Sequence, residues 1–272
     1  MKPAPFDYVR PETLDEALAE LARGGEDAKP LAGGQSLVPL LNMRLLRPSL
    51  LVDLNRVIGL DEIHAGDGVV RVGATVRQAS LLGLPLVAEA LPHVGHHVTR
   101  NRGTVGGSIA HADAAGELPL CLTALGGAVV VAGPAGRREI PADAFFVTHF
   151  TTALGPGELV VETIWPAARA GEGYAFEELA LRHGDYALAM AACVARADGG
   201  QVVSLQVALG SVTDRPTLLD APLDPREAGE AAAAACDPVG TVHASAAYRR
   251  ALVRALVERA AARAARNALE AA

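Results

Sequence analysis

The sequence predicts an α+β protein built as three successive units, and three observations carry that prediction. Strand and helix signals alternate through the first 54 residues, a second alternation runs from 55 to about 169, and the last hundred residues read as successive strands followed by two helices. Half of the 272 residues are hydrophobic, enough for a sizeable core, yet only 4% are aromatic. That core must therefore be made of Ala, Val and Leu.

In the first unit, 1–54, residues 6–9 (FDYV) read as a strand. Thr13 with Glu16 makes a capping box for a helix over 13–25, with Leu14, Ala17, Leu18 and Leu21 on one face and a Gly pair to stop it. A short strand at 29–32 (KPLA) leads into two glycines, after which Ser36 is placed to cap a helix over 37–46. Pro48 ends that helix before a strand at 50–54 (LLVDL).

In the second unit, 55–169, residues 67–74 read as a strand, Thr75 with Gln78 as the cap of a helix over 76–82, and 126–140 as a hairpin-like pair around a Gly/Pro turn. A further strand covers 157–166, and the small, Gly-containing segment 168–173 is the best linker candidate. The third unit, 174–272, starts with a three-stranded antiparallel meander over 174–181, 187–197 and 201–212. In its last helix, 245–270, a stripe of Leu252, Val253, Leu256, Val257 and Ala260 faces the core. Arg249, Arg250 and Arg254 lie opposite, as a solvated face or a subunit contact.

Several function classes drop out. A net charge of −7 without any dense Lys/Arg cluster argues against nucleic acid. Cys121, Cys193 and Cys236 are far apart and form no C-x-x-C pair, which disfavours disulfides and a zinc or iron–sulfur site made by this chain alone. His93, His96, His97, His111 and Asp113 lack the H-E-x-x-H spacing and read as polar loop residues, so no metal ligands are assigned. No apolar leader or membrane-spanning run occurs, which places the chain in the cytoplasm. No nucleophile–base order or carboxylate pair for acid–base work stands out, and no catalytic residue is assigned.

What remains is a pair of glycine loops, "LAGGQSL" at 31–37 and "NRGTVGGSIAHAD" at 101–113. A Gly pair between a strand and a helix lets the backbone turn sharply and lets a ligand reach the main chain. Free N–H groups at a helix start can then hold a pyrophosphate without Lys or Arg. Neither loop matches G-x-G-x-x-G or G-x-x-x-x-G-K-[ST], which disfavours Rossmann and P-loop readings. Most bare Gly turns only connect elements.

With their flanks, "LAGGQSLVPLLNMRLLRPSLLVDL" and "GHHVTRNRGTVGGSIAHADAAGELP" resemble the FAD-binding medium subunit of molybdenum hydroxylases, the group containing carbon monoxide dehydrogenase and xanthine dehydrogenase. The resemblance continues in order through "FFVTHFTTALGPGELVVETIWP", "LRHGDYALA" and "VHASAAYRRALVRAL", and so covers essentially the whole chain.

The resemblance implies a two-subdomain FAD-binding fold of the vanillyl-alcohol-oxidase/PCMH type, followed by the C-terminal sheet with helices. Ala32, Gly33, Gly34, Gln35, Ser36 and Leu37 would form one loop around the FAD pyrophosphate, with Lys29 as a basic contact just before it. Thr104, Val105, Gly106, Gly107 and Ser108 would form the other. Val94 and Gly95 would approach the cofactor, His111 would lie beside it, and Glu117 would bind a polar edge such as the adenosine hydroxyls. Val160 would lie near the adenine or flavin end, and Tyr186 of "GDYA" would cover the flavin ring. Where many relatives carry a Lys and an Arg pair before "GD", this chain has Glu178, Leu181 and Arg182, so no basic contact carries over there.

It further implies a relay role. A large partner subunit would hold the molybdenum cofactor and a small one two [2Fe–2S] clusters, in a dimer of heterotrimers, and FAD would pass electrons to an external acceptor. Two other readings stand beside it: a self-sufficient FAD-dependent oxidoreductase with its own substrate site, and a non-redox nucleotide-binding module.

Overall fold

The computed structural model describes residues 2–81 and 83–272. Strand β1 (Asp7–Val9), helix α1 (Leu14–Gly24), β2 (Ala28–Leu31), α2 (Leu37–Asn42) and β3 (Leu50–Asp53) make a parallel sheet of order β1-β3-β2. The capping box that starts α1 is present: the Glu16 N–H donates to Thr13 Oγ1 at 3.2 Å, and the Thr13 N–H donates back to the Glu16 carboxylate at 3.3 Å. Ala17 and Leu21 of α1 are buried with Leu50 and Val52 of β3.

The second sheet is antiparallel, built from β4 (Ile63–Gly66), β5 (Val69–Gly73), β6 (Ala128–Gly133), β7 (Gly136–Pro141) and β10 (Leu159–Pro166) in the order β4-β5-β10-β6-β7. Between β5 and β6 come α3 (Pro85–Ala90), α4 (His97–Arg100), α5 (Val105–His111) and α6 (Glu117–Ala124). After β7 follow α7 (Ala142–Phe145) and the small pair β8 (Phe146–Thr148) and β9 (Thr151–Thr152). Because β10 inserts between β5 and β6, it closes the sheet over α5, and its Trp165 is fully buried with Nε1 donating to Thr163 Oγ1 at 2.7 Å.

The third sheet is a meander of β11 (Glu172–Ala180), β12 (Ala187–Asp198), β13 (Gln201–Gly210) and β14 (Thr217–Asp220). It is four-stranded, not three-stranded as expected, because β14 is a short edge strand with little apolar alternation to announce it. Helices α8 (Pro225–Ala235) and α9 (Ala246–Glu270) cover one face, where Ala175, Ala189, Ala191 and Ala195 meet Ala260, Ala264 and Ala268. Small residues on both sides let helix and sheet approach closely. The other face packs on α3 and α6, and α6 is buried on nearly every side, from Leu118 to Ala124.

Three local expectations are corrected. Ser36 makes no capping bond among the described residues and already has helical angles; the turn begins two residues earlier, with the Val38 N–H donating to Gly34 O at 3.0 Å, and Arg44 in the left-handed region ends the helix well short of 46. Thr75 and Gln78 start no α-helix: both are buried, and only 78–80 form a 3-10 turn because Gln78 N and Val76 O bond to Gly103 and Val105 instead. Leu82, the end of that expected helix, lies outside the described residues. Arg249 is not on a solvated face: it is buried and donates to the carbonyls of Leu188, Val239 and Ser211, whereas Arg250 and Arg254 pair with Asp237 and Glu230.

Candidate functional site

The fold brings the two glycine loops into direct contact. A Cβ on Gly33 would lie 2.5 Å from Arg102 O, 2.7 Å from Gly103 Cα and 2.9 Å from Thr104 N, all of them backbone atoms. Only glycine permits that approach. Gly34 follows with φ +73°, which turns the chain into α2. Gly106 is used differently: its missing Cβ makes room for Ala74 at the end of β5, so it packs α5 against the sheet.

The hydrogen-bond donors of the two loops are unequal. In the second, the N–H groups of Val105, Gly106 and Ser108 donate to Val76 O, Ala74 O and Thr104 O, and Gly107 N–H donates to Thr104 Oγ1 at 3.2 Å, the cap of α5. In the first, no protein acceptor meets the N–H groups of Gly34, Gln35 and Ser36 among the described residues. Open main-chain donors therefore gather in the first loop, whereas in the second the Thr104 N–H, packed against Gly33, has no acceptor among the described residues and the Ser108 side chain lines the cleft.

These loops form one wall of a cleft of about 530 Å³, within the range of cofactor sites. Of the residues expected from sequence, Gln35, Ser36, Val94, Gly95, Ser108, His111, Glu117 and Tyr186 line it. Gly33, Gly34, Thr104, Gly106 and Gly107 stand behind as its frame, while Ala32, Leu37 and Val105 do not reach the wall. Lys29 lies on β2 away from the cleft, and Val160 is buried in the sheet core opposite Val131.

The opposite wall comes from the β11–β12 loop, with Leu181, Gly184, Asp185 and Tyr186. Gly184 has φ +81°, and a Cβ there would lie 2.9 Å from Gly95 O, so the C-terminal sheet rests directly on the 94–95 turn. Arg100 holds that turn from the other side, donating to Val94 O at 3.0 Å and Gly95 O at 3.2 Å. This is a structural duty rather than a contact to a ligand.

Gln78 is a cleft residue that the sequence reading missed, because it was assigned to a helix cap. It is buried, its Oε1 has no partner among the described residues, and the missing side chain of Gly103 makes room for it. Asp113, Thr99 and His243 also line the cleft and carried no signal beyond being polar.

Two carboxyls near this site hold protons near neutrality. Burial, then Asp113, raises Glu117 to about 7, and burial, then Glu117, raises Glu178 to about 8. Glu178 Oε2 is buried without a partner among the described residues, and its other oxygen lies 3.8 Å from His93 Nδ1. Burial, then His183, lowers the His93 pKa, so the ring stays neutral and supplies no counter-charge. Burial also lowers His111. Among the described residues, no three His, Cys, Asp or Glu side chains gather as a metal site, and the three cysteines are buried.

Residues 4–168 match the FAD binding domain in molybdopterin dehydrogenase, and 174–264 match the CO dehydrogenase flavoprotein C-terminal domain. The chain belongs to the FAD-binding subunits of the molybdenum hydroxylases. It is 45% identical to the 6-hydroxypseudooxynicotine dehydrogenase complex subunit alpha of Paenarthrobacter nicotinovorans, over 95% of this chain and 94% of that one. Among solved structures it resembles carbon monoxide dehydrogenase from Hydrogenophaga pseudoflava, with TM-score 0.92, 36% identity and 97% and 98% of the two chains covered. Quinoline 2-oxidoreductase from Pseudomonas putida 86 gives TM-score 0.93, 36% identity, and 99% and 100% coverage.

The fold of this FAD subunit is thus the PCMH-type FAD-binding domain with the flavoprotein C-terminal domain, its cofactor is FAD, and it is a subunit of an oxidoreductase. No helix among the described residues is long and apolar enough to cross a membrane.

Proposed function

We propose that the cleft between the glycine loops and the β11–β12 loop holds FAD, and that the chain is the last electron relay of a molybdenum hydroxylase. The observation that carries this reading is the run of N–H groups on Gly34, Gln35 and Ser36 without acceptors among the described residues, at a cleft that Gln35 and Ser36 line and that Tyr186 walls on the other side. The donors suit a pyrophosphate, Ser108 and Gln35 would add side-chain contacts, and Gln78 Oε1 is an acceptor without a partner among the described residues.

Glu117 would face a polar edge of the cofactor. Tyr186, 71% exposed in the cleft wall, would lie against the flavin ring and limit its contact with water. The flavin supplies one- and two-electron chemistry; the chain's part is to bind, orient and shield it. Electrons would come from [2Fe–2S] clusters of a small partner subunit, fed by a large molybdenum-containing subunit within a dimer of heterotrimers in the cytoplasm, and would leave to an external acceptor. The three units 1–54, 55–169 and 174–272 would divide this work, the first two gripping the phosphates and the third covering the ring.

The test is an absorption spectrum of the chain expressed alone and with its partner subunits, with acid release of the flavin. Stoichiometric FAD that the substrate of the complex bleaches only when the partners are present is the expected result. Colourless preparations of both would remove the reading.

A further inference from the structure

Two loops separated by about seventy residues can clamp one pyrophosphate only if something fixes the distance between them. Besides the direct packing of Gly33 on 102–104, a tie between them runs through two residues that lie in neither loop. Asn55, in the 3-10 turn after β3, donates from Nδ2 to Ala32 O at 2.9 Å, the start of the first loop. Its Oδ1 accepts from one Arg77 guanidinium nitrogen at 2.7 Å. The other terminal nitrogen of Arg77 donates at 2.7 Å to Arg102 O, the carbonyl against which Gly33 is packed. One chain of hydrogen bonds therefore runs from Ala32 through Asn55 and Arg77 to Arg102.

The middle position demands a carboxamide. It must donate towards Ala32 and accept from Arg77 at once, which neither a carboxylate nor an aliphatic side chain can do. Arg77 is equally specific, since its planar fork reaches two acceptors in fixed directions. Asn55 is itself anchored: its backbone N–H donates to Asp53 Oδ1 at 2.9 Å, and Asp53 takes the Tyr8 hydroxyl and lies 3.4 Å from Arg10 Nε. Burial raises the Asp53 carboxyl, but the hydrogen bonds from Tyr8 and Asn55 outweigh it and keep the group ionised. Beside the tie opens a pocket of about 240 Å³ with Asn55 and Arg77 among its lining residues, so neither side chain is packed in on all sides.

We infer that Asn55 and Arg77 are positioning residues for the FAD pyrophosphate, joined so that they set the spacing of the two glycine loops. Neither lines the cofactor cleft. They act through Ala32 and Arg102, and the inference rests on the FAD reading above.

The test uses the full chain in its complex, with Asn55→Leu, Arg77→Met, the double variant and Arg77→Lys, reading FAD dissociation, melting temperature and amide hydrogen exchange at 31–37 and 102–108. Each single variant is expected to weaken FAD about tenfold and to speed exchange in both loops, because cutting either link frees both ends. The double variant is expected to be no worse than the poorer single, as links in series are not additive. Arg77→Lys, which reaches only one acceptor, is expected to recover part of the loss.

Losses in FAD affinity that add, or affinity and exchange at wild-type values in a chain that does bind FAD, would overturn the inference. A wild-type chain that binds no flavin would remove the FAD reading instead, and loop exchange would still report whether the tie couples the loops.

Discussion

Glu178 shows how one side chain sets a pH dependence. It stands in β11, its side chain is 2% exposed, and one carboxyl oxygen has no partner among the described residues. A folded pKa of about 8 against an ordinary 4.5 means that the folded chain keeps a proton that the unfolded chain releases. The stability this contributes is complete below pH 4.5, falls as pH rises, and is gone above about 8. Glu178→Gln keeps the shape of the protonated carboxyl without its titration. It is expected to raise the melting temperature by about 2–6 °C at pH 8 and to change little at pH 5, measured by calorimetry across that range. Equal shifts at both pH values would assign the effect to packing instead.

Glycine decides most at the level of elements, through closeness rather than flexibility. Gly173 in β11 faces α9 so tightly that a Cβ would lie 2.1 Å from Ala264 O and 2.2 Å from Ala268 N. Neither atom can move without bending the helix. Gly173→Val is expected to cost about 3 kcal/mol or more, seen as a lower melting temperature, whereas Gly66→Ala, with open space around it, should stay within about 0.5 kcal/mol. Helix α9 is further tied across the molecule: Arg263 donates to Glu177 on β11 and Glu89 on α3, and Glu89 also accepts the Phe176 N–H at 2.9 Å. Loosening α9 would therefore disturb the face of β11 that leads into the cleft wall.

For the whole molecule, the question is what closes the cleft. The contact of Gly184 with Gly95 brings Tyr186, from the third sheet, opposite the loops of the first two. Tyr186 contributes little to the core, being 71% exposed. Tyr186→Ala is expected to leave the melting temperature near wild type, to weaken FAD by about threefold to tenfold, and to alter the visible spectrum of the bound flavin. An unchanged spectrum and affinity would show that Tyr186 does not meet the ring.

The sequence by itself determined the capping box of α1, the apolar stripe of the last helix, and the two glycine loops whose flanks carry the family resemblance. All are local or periodic signals, written in consecutive residues. Which N–H groups stay open, and that Val160 is core while Gln78 is cleft wall, was decided only when the loops met. The expected helix after Thr75 gave way for the same reason, since Gln78 and Val76 bond to the second loop rather than to their own neighbours. Sequence spacing fixes what a segment can form alone; which distant carbonyl takes a given N–H depends on the packed chain, and so does the partnership of Asn55 with Arg77, 22 residues apart.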